Sequence, residues 1–413
     1  MCKLLLLGVN TRSMVISALK LGFEVYSSSY YKTYDFNCHI NEKHVLKQKA
    51  GSSCGYFEEK YSPEKILDNA EYYLDVVDFI ILCSGISSLD FKGKYEKYVD
   101  KIIGNTDIGD IEDKYLFYKK VYSDFLVPDT FNINDIHEVD EIIKNDEGSE
   151  YILKPRCGSG GYNTYLLKYD EAYGSKLNEI INENFYETNW ILQKKINGTN
   201  LSSSVLSTKN KSKTLITSRL LNLKDYNIQS YKYGGNILPL TNESLKILNK
   251  KDNLPNKINA TELNNKISEI SEQIIKKLKL IGNNGVDLIL TPKNEIYIIE
   301  VNPRLQGTYE CIEQILGINL LDAHIKACNN ELIKIPKIKE QYCMKKLLYT
   351  NSKIKVGNIV SKNIYDIPYP NVTIEKNQPL ATLITKNTSL KNVYENIIEN
   401  EKILKNNIKK IDS

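Results

Sequence analysis

Residues 3–8, KLLLLG, form an unbroken apolar run that predicts a short buried strand. Residues 9–13 are polar enough for a loop, and the segment from there to Leu21 predicts a helix stopped by Gly22. Residues 23–26 predict a second strand, which makes the opening a βαβ unit. The run VVDFIILC at 76–83 predicts a strand covered on both faces, and 102–105 another. Helices are predicted over 110–126, ending before Pro128, and over 135–145. Strands over 151–155 and 165–167 flank a glycine-rich turn. Residues 190–195 predict a strand closed by Asn197-Gly198, and 205–206 and 215–221 continue a sheet. Apolar residues at 263, 267, 270, 274 and 278 have helical spacing. Beyond Pro336, strands are predicted near 346–349, 372–375 and 381–384. A last amphipathic helix carries Val393, Ile397, Leu404, Ile408 and Ile411.

The most informative stretch is GVDLILTPKNEIYIIEVNPRLQGT, residues 285–308. Two β-branched, apolar runs flank 291–295, which has turn composition, so the stretch predicts a β-hairpin. If it closes symmetrically about Lys293-Asn294, Asp287 lies opposite Glu300, and Asn302 shares their face. Like charges directly opposite each other destabilise a sheet. Either the face is simply solvated, or a hard divalent cation with oxygen ligands converts the repulsion into a site, with Arg304 one step further along.

Composition changes this picture little. Hydrophobic content of 41% and 55 Lys+Arg against 51 Asp+Glu describe a globular chain of net charge +4, which demands neither nucleic acid nor an anionic membrane. The eight cysteines contain no CxxC and the four histidines are scattered, which argues against a zinc site and suits a reducing cytosol. The Leu4 to Leu7 run is too short for a signal sequence, and no apolar run has membrane-spanning length, so a cytoplasmic location is expected.

Two further features suit anion chemistry. Asn10 and Arg12 follow the first strand, where α/β units dock ligands; they either bind a carboxylate or phosphate or cap the helix, with capping preferred. Lys154 precedes Gly158-Ser159-Gly160-Gly161, a basic side chain followed by a backbone able to close on phosphate. No Walker loop occurs, and the first strand lacks a dinucleotide-binding glycine turn.

Taken in order, DK at 113–114, YILKPRCGSGG at 151–161, ILQKKING at 191–198, GVDLIL at 285–290 and IIEVNPRLQGT at 298–308 resemble the ATP-grasp superfamily. The likeness is to the branch that includes biotin carboxylase and carbamoyl-phosphate synthetase. It implies an ATP-grasp fold of mixed α/β and α+β class. An N-terminal open α/β (pre-ATP-grasp) domain would span 1–108 and an ATP-grasp domain 109–335. Within the latter, 109–190 would be a lid lobe with the flap and 191–335 a metal-binding lobe; 336–413 would be a β-rich cap with a final helix. Carried over by position, Lys114 and Lys154 would contact ATP phosphates, and Ser159, Gly160 and Gly161 would form the flap. The backbone of Lys194, Lys195 and Ile196 would meet adenine. Asp287, Glu300 and Asn302 would hold Mg²⁺ or Mn²⁺, and Arg304 would neutralise the transferred phosphoryl group. Two positions depart from the family pattern: Lys194 stands where Glu is frequent, and Asn200 where an acidic ribose contact is common.

The implied reaction is ATP-dependent joining of a small-molecule carboxylate to an amine through an acyl-phosphate, since phosphorylation turns a poor electrophile into a mixed anhydride. A flap would exclude water from that intermediate. Acceptor residues are expected around 10–12, 84–88 and 306–308, and a homodimer is a family expectation. The rivals are a bicarbonate-using carboxylase, with Arg304 and Gln306 facing carboxyphosphate, and a nucleotide-binding regulatory module without catalysis. Cys157 has no histidine nearby to activate it as a nucleophile. Cys343-Met344-Lys345 lacks the alanine and second methionine of a biotin-attachment motif.

Overall fold

In a computed structural model of the protein, residues 1–46, 61–158, 160–161, 163–182, 185, 188–221, 223, 231–246 and 258–411 are described. The first unit contains β1 (Lys3–Gly8), α1 (Arg12–Lys20), β2 (Glu24–Tyr31), β3 (Asn41–Leu46), α2 (Pro63–Val76) and β4 (Phe79–Leu82). Its strands are parallel in the order β3-β2-β1-β4. The apolar run of β1 is explained by two-sided burial. Leu5 and Leu7 pack with Ile66, Leu67 and Leu74 of α2, while Leu4 and Leu6 face α1 and the rest of the chain. The strand expected over 76–83 is shorter, because the apolar spacing of α2 carries the helix to Val76. The strand expected over 102–105 is a single bridge from Ile80 to Ile102.

Next come α3 (Gly109–Glu112), α4 (Lys114–Val121), β5 (Thr130–Ile133), α5 (Ile136–Asn145), β6 (Glu150–Pro155), β7 (Tyr165–Lys168), α6 (Tyr173–Asn182) and β8 (Trp190–Lys194). The helix expected over 110–126 breaks at Asp113, whose side chain accepts from Tyr115 N–H and Leu116 N–H and so starts α4 afresh. The four strands form an antiparallel sheet, β5-β8-β6-β7, with Trp190 and Leu192 in its core.

The largest sheet has eight strands in the order β13-β12-β9-β10-β11-β14-β18-β16. The elements after β8, in chain order, are β9 (Thr199–Ser207), β10 (Ser212–Leu220), β11 (Gly235–Leu238), α7 (Asn242–Lys246), α8 (Ala260–Lys277), β12 (Gly282–Leu290), β13 (Ile296–Asn302), α9 (Tyr309–Leu316), α10 (Leu320–Cys328) and β14 (Tyr342–Tyr349). They continue with β15 (Ile354–Val356), β16 (Ile364–Tyr365), β17 (Thr373–Ile374), β18 (Pro379–Asn387), α11 (Leu390–Asn406) and β19 (Ile408–Lys410). α8 lays Leu263, Ile267, Ile274 and Ile275 over Val286, Leu288 and Ile298 of the hairpin. Truncating fully buried Ile267 to Ala would cost roughly 2–5 kcal/mol. The residues after 336 add β14, β16 and β18 to this same sheet. The final helix stops at Asn406, not at Ile411, and Ile408 enters β19, which pairs with β15. Among the described residues no helix is long and apolar enough to cross a membrane.

Candidate active site

The hairpin of β12 and β13 places Asp287 opposite Glu300 and Gly285 opposite Asn302. The turn itself closes one residue away from the symmetric expectation: Leu290 faces Ile296, and Thr291 N–H donates to Glu295 O at 2.9 Å. A β-bulge between Asp287 and Leu288 absorbs the difference and restores the carboxylate pairing.

Around the two acids the partners are neutral. Ser202 Oγ, from the neighbouring β9, donates to Asp287 Oδ1 at 2.7 Å. Asn302 Nδ2 donates to Asp287 Oδ2 at 3.1 Å and to Glu300 Oε1 at 3.3 Å. Burial, then repulsion from Glu300, push the Asp287 carboxyl up from its usual range. Burial also opposes ionisation of Glu300, but Lys114, Lys154, the Asn302 hydrogen bond and Arg304 together hold it below its usual range. Among the described residues no three His, Cys, Asp or Glu side chains form a metal-ligand group. The donor set is two carboxylates and an amide. That set fits a hard cation completed by ligand oxygens and water, as Mg²⁺ prefers, better than a cation caged by protein alone.

Lys154 leaves β6 toward this pair and donates from Nζ to Gln193 Oε1 at 2.8 Å. Burial lowers it to about 8, with Glu300 opposing and Lys114 adding to the shift. Lys114 Nζ donates to Gly158 O at 2.7 Å, so the first lysine reaches the base of the glycine turn. Arg156 holds Asp113 through Nε at 3.0 Å, tying the start of α4 to the end of β6. Gly160 and Gly161 have φ of 75° and 74°, and a Cβ on Gly161 would lie 2.1 Å from Tyr231 O. Only glycine permits both the left-handed backbone and that contact. Ser159, expected in the flap, lies outside the described residues.

The side chains of Lys194 and Lys195 are held by acids: Lys194 Nζ pairs with Asp146 at 2.9 Å, and Lys195 with Glu150. Their amides serve the sheet, Lys194 N–H donating to Asp129 O and Lys195 N–H to Glu150 O, each at 2.8 Å. An adenine edge meeting this strand would therefore use its carbonyls or Ile196 N–H. Gly198 follows, with backbone so close to Leu290 O that a Cβ would sit 2.2 Å away. This contact lies at the start of β9, where Thr199 pairs with Leu290 of β12.

Arg304 donates from Nη2 to Asn302 Oδ1 at 3.3 Å and borders a cavity of about 30 Å³ with Ser87, Ser88, Asn105, Glu112 and His324. The loop over 84–88 thus reaches the site. The loop over 10–12 does not supply a free cation. Arg12 is buried, with Nε 2.7 Å from Asp366 Oδ1 and Nη1 2.9 Å from Glu310 Oε1, and Asn10 Oδ1 accepts from Arg12 N–H at 3.0 Å. Burial works against its charge, but these carboxylates hold it protonated. Burial and Asp113 push the Cys157 thiol up, which suits a bystander. Ser202 and Glu112 lie outside the quoted motifs, and Gln193 lies within ILQKKING with no role expected of it. Strand registers bring Ser202 and Gln193 to the site, and the end of α3 brings Glu112.

A family model described as an ATP-grasp domain matches residues 111–308. The chain is 34% identical over 409 residues to an uncharacterized protein of Methanocaldococcus jannaschii, covering 97% of this chain and 93% of that protein. The fold is similar to N5-carboxyaminoimidazole ribonucleotide synthetase of Thermotoga maritima, with a TM-score of 0.64, 15% identity and 100% of both chains covered. It is also similar to the biotin carboxylase domain of Hydrogenobacter thermophilus 2-oxoglutarate carboxylase, solved with MgADP and bicarbonate. There the TM-score is 0.70 and identity 15%, over 97% of this chain and 89% of that one. A third similar structure, carboxyaminoimidazole ribonucleotide synthase of Aspergillus clavatus with ATP, has a TM-score of 0.69 and 12% identity over 98% of both chains.

Proposed function

The chain belongs to the ATP-grasp superfamily, and on that premise we propose that it is an ATP-dependent ligase joining a small-molecule carboxylate to an amine. The observation that carries this reading is the Asp287–Glu300 pair, two facing acids with neutral partners, set among Lys114, Lys154 and Arg304. Asp287, Glu300 and Asn302 would hold Mg²⁺, Asn302 through its amide oxygen in place of the Nδ2 that now donates to the two acids. The ion would supply positive charge that offsets the charge of the ATP phosphates. Lys154 and Lys114 bind the phosphates, and Gly160 and Gly161 cover them. The carbonyls of Lys194 and Lys195 and the N–H of Ile196 face adenine.

The substrate carboxylate attacks the γ-phosphorus and ADP leaves. The amine nitrogen then attacks the acyl-phosphate carbon, phosphate leaves, and the nitrogen loses its proton to solvent. Arg304 offsets the charge of the transferred phosphoryl group. The flap excludes water that would hydrolyse the mixed anhydride.

ADP release from the full chain with MgATP, screened over carboxylate and amine pairs, tests the reading. Bicarbonate without amine forms a separate arm, and turnover in that arm alone would favour a carboxylase. Glu300→Gln should lower turnover by on the order of 10²-fold or more. Turnover unchanged in that variant would sink the catalytic assignment.

A further inference from the structure

Lys154 differs from the lysines beside it in what it is bonded to. Lys194 and Lys195, at the end of β8, face the carboxylates of Asp146 and Glu150. Lys154 instead donates to an amide oxygen, Gln193 Oε1, at 2.8 Å. Gln193 is only 7% exposed. Its Nε2 donates to Thr130 Oγ1 at 2.9 Å, and Thr130 Oγ1 donates to Pro128 O at 2.8 Å.

The sheet makes this chain of bonds. Thr130 on β5 is directly opposite Gln193 on β8, and Gln193 is opposite Ile152 on β6, two residues from Lys154. All of them therefore share one face. The direction of each bond is determined from the far end. The one hydroxyl proton of Thr130 goes to a backbone carbonyl, so its oxygen can only accept from Gln193. The amide nitrogen must then point to β5 and the amide oxygen to β6. A flipped amide would set N–H against the Lys154 ammonium and leave two buried donors unpaired. The acceptor offered to Lys154 is thus oriented but uncharged. A carboxylate in its place would aim the ammonium equally well and neutralise it.

We propose that Gln193, anchored by Thr130, is a positioning residue that aims the Lys154 ammonium at the nucleotide phosphates while leaving its charge available to them. The inference rests on the ATP-binding reading above. Calorimetric titration of the full chain with MgATP and, separately, adenosine tests it. Gln193→Met conserves volume, and it should weaken ATP binding about tenfold while leaving adenosine binding unchanged. Thr130→Val, which leaves Gln193 in place but frees its amide, should weaken ATP in the same direction by about threefold. In a Lys154→Met background neither substitution should weaken ATP further, because both act through that lysine. Equal losses with and without Lys154, equal losses for adenosine and ATP, or no loss in either variant would each overturn the proposal. Should Gln193→Met fail to fold, Thr130→Val alone carries the same comparison. Wild-type protein that binds no ATP would refute the functional reading itself, a result distinct from any of these.

Discussion

Glu300 and Glu310 flank the same loop, yet opposite electrostatic rules hold them in place. Glu310 belongs to a cluster in which opposite charges alternate. Its two oxygens meet Arg12 at 2.9 Å and Lys345 at 3.1 Å, and Arg12 also binds Asp366. Burial works against ionisation of Glu310, but Lys345 and Arg12 keep it below its usual range. The cluster joins α1, α9, β14 and the residue after β16, so it fastens the first unit to the large sheet. Glu300, by contrast, faces another acid and has an amide as its hydrogen-bond partner. A buried charge with its counter-ions built in has no need of a ligand. Two facing acids among cations that bond only to neutral groups are stabilised when a counter-ion joins them. The comparison separates the charges that build the fold from those that await a substrate.

The sharpest way to break this distinction is to remove Arg12. Arg12→Met leaves Asp366 and Glu310 buried without their shared partner, so urea unfolding should show a loss of about 3–5 kcal/mol. ATP affinity of the folded protein should stay within error of wild type. A loss below about 1 kcal/mol would place the cluster among surface-like pairs and dissolve the contrast.

His324 extends the comparison to a buried group that is satisfied while neutral. Its Nδ1 accepts from Asn283 N–H at 2.9 Å, and Nε2 lies 3.1 Å from Ile103 O, to which it donates. Burial lowers it from 6.5 to about 4, against the Ile103 contact. Between those values the unfolded chain binds the extra proton and the folded one does not. Stability is therefore full above pH 6.5 and falls as the pH drops toward 4, by about 3 kcal/mol at most. Unfolding midpoints of wild type and His324→Asn across that range would show it. Identical slopes would remove His324 as the source.

The smallest effect has the opposite sign. Asp287→Asn relieves the repulsion in the hairpin, and thermal unfolding without metal should show a gain of up to about 1 kcal/mol. Mg²⁺-dependent ATP binding should weaken in the same variant. A clear loss of stability would mean that the carboxylate pair is structural after all.

Several parts of this were legible along the chain. The glycines at 160 and 161 and the acids of the hairpin advertise themselves, because period-two alternation and turn composition are local properties. Even so, the symmetric turn from which the sequence predicts the pairing of Asp287 with Glu300 is absent from the fold. The turn is offset by one residue and a bulge restores the register, a compensation that no local signal announces. Arg12 shows the converse. A basic residue after the first strand of a βαβ unit has the pattern of a ligand site, but Asp366 and Glu310, distant in sequence, already hold it.

By itself, then, the amino-acid order determined the strands and helices with strong periodicity, the ATP-grasp likeness and the acids, lysines and glycines of the candidate site. Tertiary structure alone decided which charges are neutralised, that Ser202 and Gln193 stand beside Asp287 and Lys154, and that β14, β16 and β18 share a sheet with the hairpin. The physical reason is range. Propensity and periodicity act over a few residues, whereas burial and pairing of a charge depend on whatever the fold brings within hydrogen-bonding distance.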